Sequence, residues 1–297
     1  MQETMRAWFA HEPLGRPIVQ AYAPSAEAPE RPSWNGWRLV QNLDAPEQAL
    51  DSYQAYCRDT YFGGEAFPNL WINLGPGIPA AYLGREPRIA EETVWFEGTG
   101  PLSWDHILSL QLDPEQRWWR ITRELTQLAV ERGRGKHYVS ITDLNGVHNI
   151  LGSLRGTQQL LMDCLDTPEL VRQASQLITD IWLQCFDELL AITQQHQEGS
   201  ASWMGIWFPG VGSDVQYVFS AMLSPAMFED LVMPDLTRQC QHMEQSIFHW
   251  DGPGQIPHLD LLLSIDELDG IQWVPGAGNP DTGSPRWFPL YERIQAA

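Results

Sequence analysis

The sequence predicts an α/β protein folded as a (β/α)8 barrel, and three observations predict it. Short apolar strand candidates alternate with amphipathic helix candidates along the chain, the pattern of parallel strands joined by crossover helices. No GxGxxG follows the first strand and no GxxxxGK[ST] occurs, so the dinucleotide-binding and P-loop versions of that pattern lack support. The 297 residues, 43% of them hydrophobic, can bury one large core. No internal repeat, low-complexity tract or linker breaks the chain, so residues 1–297 read as a single domain. After "IQWVPGAG" the chain ends in a helix. Little material is left to close the ring, and the barrel is expected to be truncated at its C-terminus.

Each element has its own signal. "RPIVQAYAP" reads as a strand running into a loop, and "PEQALDSYQAYCRDTY" as a helix. "NLWINLGPG" is a strand stopped by a Gly-Pro-Gly turn, and "ETVWFEG" is a second strand. "DPEQRWWRITRELTQLAVERGRG" is a long helix with Asp113 as N-cap, Pro114 at its first position and a glycine stop. "KHYVSITDLNG" is strand and loop. In "DTPELVRQASQLITDIWLQCFDELLAITQQ", Thr167 is the expected cap of a very long helix that starts at Pro168. "SASWMGIWFPG" reads as one strand. "LSPAMFEDLVMPDLTRQCQHMEQ" is a helix capped by Ser224. "SIFHWDGPG" (strand), "HLDLLLSI" (helix), "LDGIQWVPGAG" (strand) and "WFPLYERIQAA" (helix) complete the series.

Charge and composition exclude several functions. The net charge is -20 and the only lysine is Lys136, so the surface repels phosphate backbones and anionic lipid; neither nucleic acid nor membrane is expected as a partner. The cysteines Cys57, Cys164, Cys185 and Cys240 never fall in CxxC spacing, which argues against a disulfide framework or an all-cysteine zinc site. "MQETMRAWFAHEPLG" has no apolar leader segment and no run approaches a membrane span, so a cytoplasmic protein is expected. The 14 tryptophans belong mostly to the core, but those near strand ends also suit the wall of a pocket.

Chemistry in a barrel of this kind sits where strands end. In "FHWDGPGQIPHLD" an apolar run stops at His249 and Asp251, two residues apart and therefore on one side of a strand. A group that titrates near neutrality beside an anion can share a proton, orient a substrate or bind a metal. The plainer reading is a histidine satisfied by a carbonyl and an aspartate capping the Gly252-Pro253-Gly254 turn. Other strand ends repeat the pattern: Asn73 before Gly75, Glu97 after "TVWF", Asp143, Asn145, His148 and Asn149 after "YVSIT", Trp203 and Trp207 in "WMGIWFPG", Asp214 after it, and Gln272 with Trp273 before Pro275. Their convergence on one rim, more than any single member, marks a pocket.

At these residues the chain resembles the uroporphyrinogen decarboxylase superfamily, which also holds corrinoid-dependent methyltransferases. The matching stretches are "YFGGEAFPNLWINLGPGIPAAYLG", "TDLNGVHNILGSLRGTQQLLMDCLDTPELV", "SWMGIWFPG", "FSAMLSPAMFEDLVMPDL" and "FHWDGPGQIPHLDLLLSIDELDGIQWVPGAG". The resemblance implies a (β/α)8 barrel. It departs at two points. The decarboxylases bind substrate carboxylates with an arginine-rich stretch after the first strand, whereas "AYAPSAEAPE" has no arginine. The thiol-directed methyltransferases hold zinc with His-x-Cys and a later cysteine. Here His249 matches the histidine, Asp251 stands at the cysteine, and no cysteine follows Cys240.

Three functions stay open on this reading. In the first, methyl transfer between a small substrate and a corrinoid on a carrier protein, His249 and Asp251 are the acid/base or metal pair. Asp143 and Glu97 grip the substrate, with methylated amines the favoured class, and Trp203, Trp207 and Trp273 wall the pocket, lined also by Asn73, Asn145, His148 and Gln272. In the second, decarboxylation of uroporphyrinogen in tetrapyrrole biosynthesis, Asp143 stabilises positive charge on a pyrrole. The third is a ligand-binding relative without chemistry. The resemblance implies no tightly bound cofactor, a corrinoid (cobalamin) as co-substrate, zinc only if His249 ligates it, and a homodimer as the assembly.

Overall fold

Apolar runs flanked by turn residues become short strands in the computed structural model, which describes residues 1–297 apart from 27, 29–31, 97 and 99. The strands are β1 (Gln20–Pro24), β2 (Thr60–Gly64), β3 (Asn69–Trp71), β4 (Arg88–Ile89), β5 (Val94–Trp95), β6 (Tyr138–Ser140), β7 (Ser200–Ala201), β8 (Trp207–Phe208), β9 (Gly212–Gln216), β10 (Gln245–Asp251) and β11 (Gly270–Val274). The chain divides into two units, each made of three stretches. One holds Met1–Phe96, Leu112–Leu144 and Gln184–Gly212; the other holds Glu97–Gln111, Asn145–Leu183 and Ser213–Ala297.

In the first unit β3 and β6 pair in parallel, Trp71 opposite Ser140. The crossover expected between them is present as the buried turn of helix Ile78–Tyr82 and the helix Arg117–Gly133. The long helix buries Trp118, Thr122, Leu125, Ala129 and Gly133, a spacing of three to four residues that puts them on one face. Its start differs from expectation. Asp113 closes a preceding turn by accepting from Glu115 N at 2.9 Å, and Gln116 caps the helix, its Oε1 accepting from Trp118 N and Trp119 N. The remaining pairs are antiparallel: β1 with β2, β4 with β5 and β7 with β8. The stretch "SASWMGIWFPG", expected as one strand, is thus a hairpin, because Gly205 takes φ +74 in the middle of it and lets the chain reverse. "ETVWFEG" yields only the two residues of β5, in a ribbon with β4.

In the second unit the order is β11-β10-β9, with β10 and β11 parallel. The connection between them is a 3-10 turn, Pro253–His258, and one turn of helix, Leu259–Leu262. Ser224 caps Pro225–Leu231 as expected, its hydroxyl accepting from Met227 N. Thr167 does not cap forward: its hydroxyl turns back to the Asp163 carbonyl at 3.4 Å, while the helix Pro168–Thr193 begins with proline as predicted. The architecture is a mixture of helices and short strands containing parallel strand–helix–strand units. Among the described residues the strands form separate sheets and no hydrogen-bonded ring closes them.

Candidate active site

Strand parity builds the site in the second unit. Along β10 the side chains alternate, so His249 and Asp251 share one face with Gln272 of β11, while Phe248, Trp250 and Trp273 occupy the other. On the aromatic face Trp273 packs on Trp250 (4.7 Å between ring centres) and on Trp287 (5.2 Å). This is core packing, and it turns Trp273 away from the polar face on which a pocket wall was expected.

On the polar face His249 and Gln272 lie directly opposite, and His249 Nδ1 is hydrogen-bonded to the Gln272 side-chain oxygen. An amide oxygen can only accept, so the bond places a proton on Nδ1 and leaves the lone pair of the neutral ring on Nε2. The ring is 8% exposed. Asp251, half-buried, sits at the strand end. Its N–H donates to Gln255 Oε1 at 2.9 Å, and beyond it Gly252 N donates to Val274 O at 2.8 Å, tying the two strand ends together.

Gln255 is the residue that sequence reasoning missed. It is 1% exposed, accepts from Asp251 N and donates to Tyr217 O (2.8 Å) and Ser220 Oγ (3.2 Å). Its carbonyl also takes the Trp250 indole N–H at 3.0 Å. The signal was available: a lone glutamine inside the Gly-Pro-Gly-Gln turn that follows the His-x-Asp pair.

Other expected members of this unit are placed as follows. Asn145 adopts φ +58, accepts from Gly146 N at 2.7 Å and offers its carbonyl to Trp182 Nε1. His148 is wholly buried between Tyr217 and Phe219, with Nε2 at 3.4 Å from Ser175 Oγ, and burial pulls its pKa down to about 4. It is therefore a neutral interior residue at pH 7. Asp214 lies on β9, buried. Glu97 lies outside the described residues.

In the first unit Asn73 is buried at the end of β3, its Oδ1 accepting from Gly75 N at 3.0 Å. Gly75 needs its glycine: φ is +95 and a Cβ would come within 2.6 Å of Val94. Asp143 is buried (6% exposed) beyond β6. Trp203, half-buried in the β7–β8 turn, rests against Trp71 with ring centres 5.9 Å apart. Trp207 is fully buried in a core cluster with Met5, Phe67 and Ala201, and its indole N–H goes to Glu198 O. It packs in that core beneath the N-terminal helix.

The sequence admits zinc only with His249 as a ligand. Among the described residues no three His, Cys, Asp or Glu side chains gather as a metal site, and Nδ1 of His249 is engaged by an amide.

No protein-family model matches the chain, and no curated protein sequence does. Solved structures do. One is a methyltransferase from Methanosarcina mazei, which aligns over 91% of this chain and 75% of its own with a TM-score of 0.56 and 13% identity. At that identity the likeness establishes shared architecture, and fold alone does not carry function.

Proposed function

We propose that the chain is a methyl-transfer enzyme on a (β/α)8 barrel of the uroporphyrinogen decarboxylase superfamily, working with a corrinoid carried by a separate protein. The observation that carries this reading is the structural likeness to a methyltransferase over nearly the whole chain. The His249–Gln272–Asp251 face supplies the local chemistry.

A methylated ammonium that loses its methyl group leaves as the neutral amine without a proton; demethylation of an ether breaks the carbon–oxygen bond and leaves the electron pair on oxygen, which then takes a proton. His249 is suited to give it. Its ring is oriented by Gln272 through Nδ1, which assigns any proton transfer to Nε2. Asp251 has no hydrogen bond or ion pair to its carboxylate among the described residues, and a half-buried anion there favours a cationic substrate such as a methylated ammonium. The corrinoid, when bound, accepts the methyl group.

The test is a visible-spectrum titration of the purified protein with cob(I)alamin and methylcobalamin, free and on a carrier protein, in the presence of methylated amines and ethers. Methyl exchange that disappears in His249→Ala supports the reading. No exchange with any corrinoid source sinks it.

A further inference from the structure

Sequence reading picked out the strand ends of the first unit only for Asn73, Asp143 and the tryptophans. The structure brings Trp71, Thr142 and Ser202 beside one of them, Trp203. Trp71 ends β3, and Thr142 lies two residues beyond Ser140, the partner of Trp71, which an extended chain puts on the same side as Ser140. Ser202 follows β7 and is drawn to the same place, because its carbonyl accepts from Asn69 Nδ2 at 2.9 Å and Asn69 Oδ1 in turn accepts from Ser140 Oγ at 3.1 Å. The next residue, Trp203, lies against Trp71.

Three polar groups in this set have no hydrogen-bond partner: Thr142 Oγ1, Ser202 Oγ and Trp71 Nε1. Thr142 is 1% and Ser202 2% exposed. A buried donor left unmade is costly, and native proteins rarely collect several on neighbouring strand ends. Trp71 and Trp203 are both partly exposed residues beside the buried donors. No arginine or lysine belongs to the set, so nothing in it would pair with an anion.

We infer that Trp71, Thr142, Ser202 and Trp203 form a binding subsite for a flat, neutral ring bearing an oxygen acceptor, such as a ring carbonyl or ether. The Trp203 indole stacks the ring, and the Trp71 N–H and the two hydroxyls donate to its oxygen. The inference is independent of the reaction assigned to the polar face of β10 and β11, since it rests on other residues and is read by binding alone.

The probes are acetophenone, which has the ring and a carbonyl; toluene, which has the ring alone; and benzoate, which adds charge. The readout is the 15N-indole spectrum of the full chain, with the Trp71 resonance identified by its loss in Trp71→Phe. Acetophenone is expected to move the Trp71 indole proton downfield, with toluene and benzoate binding at least about tenfold more weakly, the worth of about one hydrogen bond to a buried donor. Thr142→Val and Ser202→Ala should each weaken acetophenone by a similar factor while leaving the melting temperature of the free protein unchanged or raised. A flat Trp71 resonance up to the solubility limit of acetophenone overturns the inference. So does equal binding of toluene, or a lowered melting temperature in both hydroxyl variants, which would mean that these groups already hold structural partners such as buried water.

Discussion

The strand ends of the two units solve the same problem in opposite ways. On the polar face of the β10 and β11 ends the side chains answer one another: His249 meets Gln272, and Gln255 meets Asp251, Tyr217 and Ser220, while on the opposite face the Trp273 indole N–H has no partner among the described residues. At the ends of β3 and β6, Thr142, Ser202 and Trp71 each keep a polar atom unanswered. A satisfied network is rigid without a ligand and can aim a catalytic group; an unsatisfied one gains by meeting a ligand. The difference separates residues that set geometry from residues that wait for something to bind.

The strongest way to break this comparison is to remove the aimed group. His249→Ala is expected to lower methyl-transfer turnover by about 10²–10³-fold, the usual worth of a positioned acid/base, with little change in substrate binding; steady-state kinetics would show the loss in kcat. A change confined to KM would mean that His249 only holds substrate.

Next comes the network itself. Gln255→Leu leaves the Tyr217 carbonyl and the Asp251 N–H without their partner and is expected to destabilise the fold by about 2–3 kcal/mol in urea denaturation. Equal losses in Gln255→Leu and Thr142→Val would erase the distinction drawn between the two sets of strand ends.

Titration sharpens the contrast within the second unit. His148, held at about 4, is neutral when folded and protonated when unfolded below its ordinary range, so it withdraws stability as pH falls from 6.5 through 4. Asp235 works the other way. Burial raises its pKa to about 6, against hydrogen bonding from Thr179 and the charge of Arg238, with Asp180 adding to the rise, so stability grows as pH falls through 6. Between pH 7 and 5 the two partly cancel. Asp235→Asn should expose the histidine and lose roughly 2 kcal/mol over that interval, whereas His148→Phe should gain roughly 1 kcal/mol. Urea curves at the two pH values measure both, and slopes of the same sign in the two variants would refute the assignment.

The smallest effect concerns positioning. Gln272→Leu keeps the shape beside His249 and removes the acceptor for Nδ1. Turnover should fall about tenfold, the worth of about one buried hydrogen bond, with KM unchanged. An unchanged kcat would assign Gln272 to packing alone.

Much of this was legible in the residues. The Gly-Pro turns located the ends of β3 and β10, and the i, i+2 spacing of His249 and Asp251 fixed their common face. Proline set the first residue of Pro168–Thr193, and Ser224 announced its own cap. Where legibility failed, the signal was too short or too dependent on partners. A two-residue strand such as β8 shows no alternation, so Trp207 read as pocket wall although it lies in the core. Glutamine is an uncommon cap, so Gln116 lost to Asp113. Thr142 and Ser202 carry no mark in the sequence at all, because what distinguishes them is a missing partner in three dimensions.

One backbone contact has a consequence for anyone who redesigns this protein. Gly146 passes so close to the Gln216 carbonyl that a Cβ would stand 2.0 Å from the oxygen. The obstacle is main chain and cannot swing aside like a long side chain. A saturation library at this position, selected for folded protein, should return glycine almost alone. Neighbouring Asn145, already in a left-handed conformation, should accept glycine or aspartate most readily. The loop behind the polar strand ends is therefore a poor place to introduce diversity, and variation aimed at new substrates belongs on other segments.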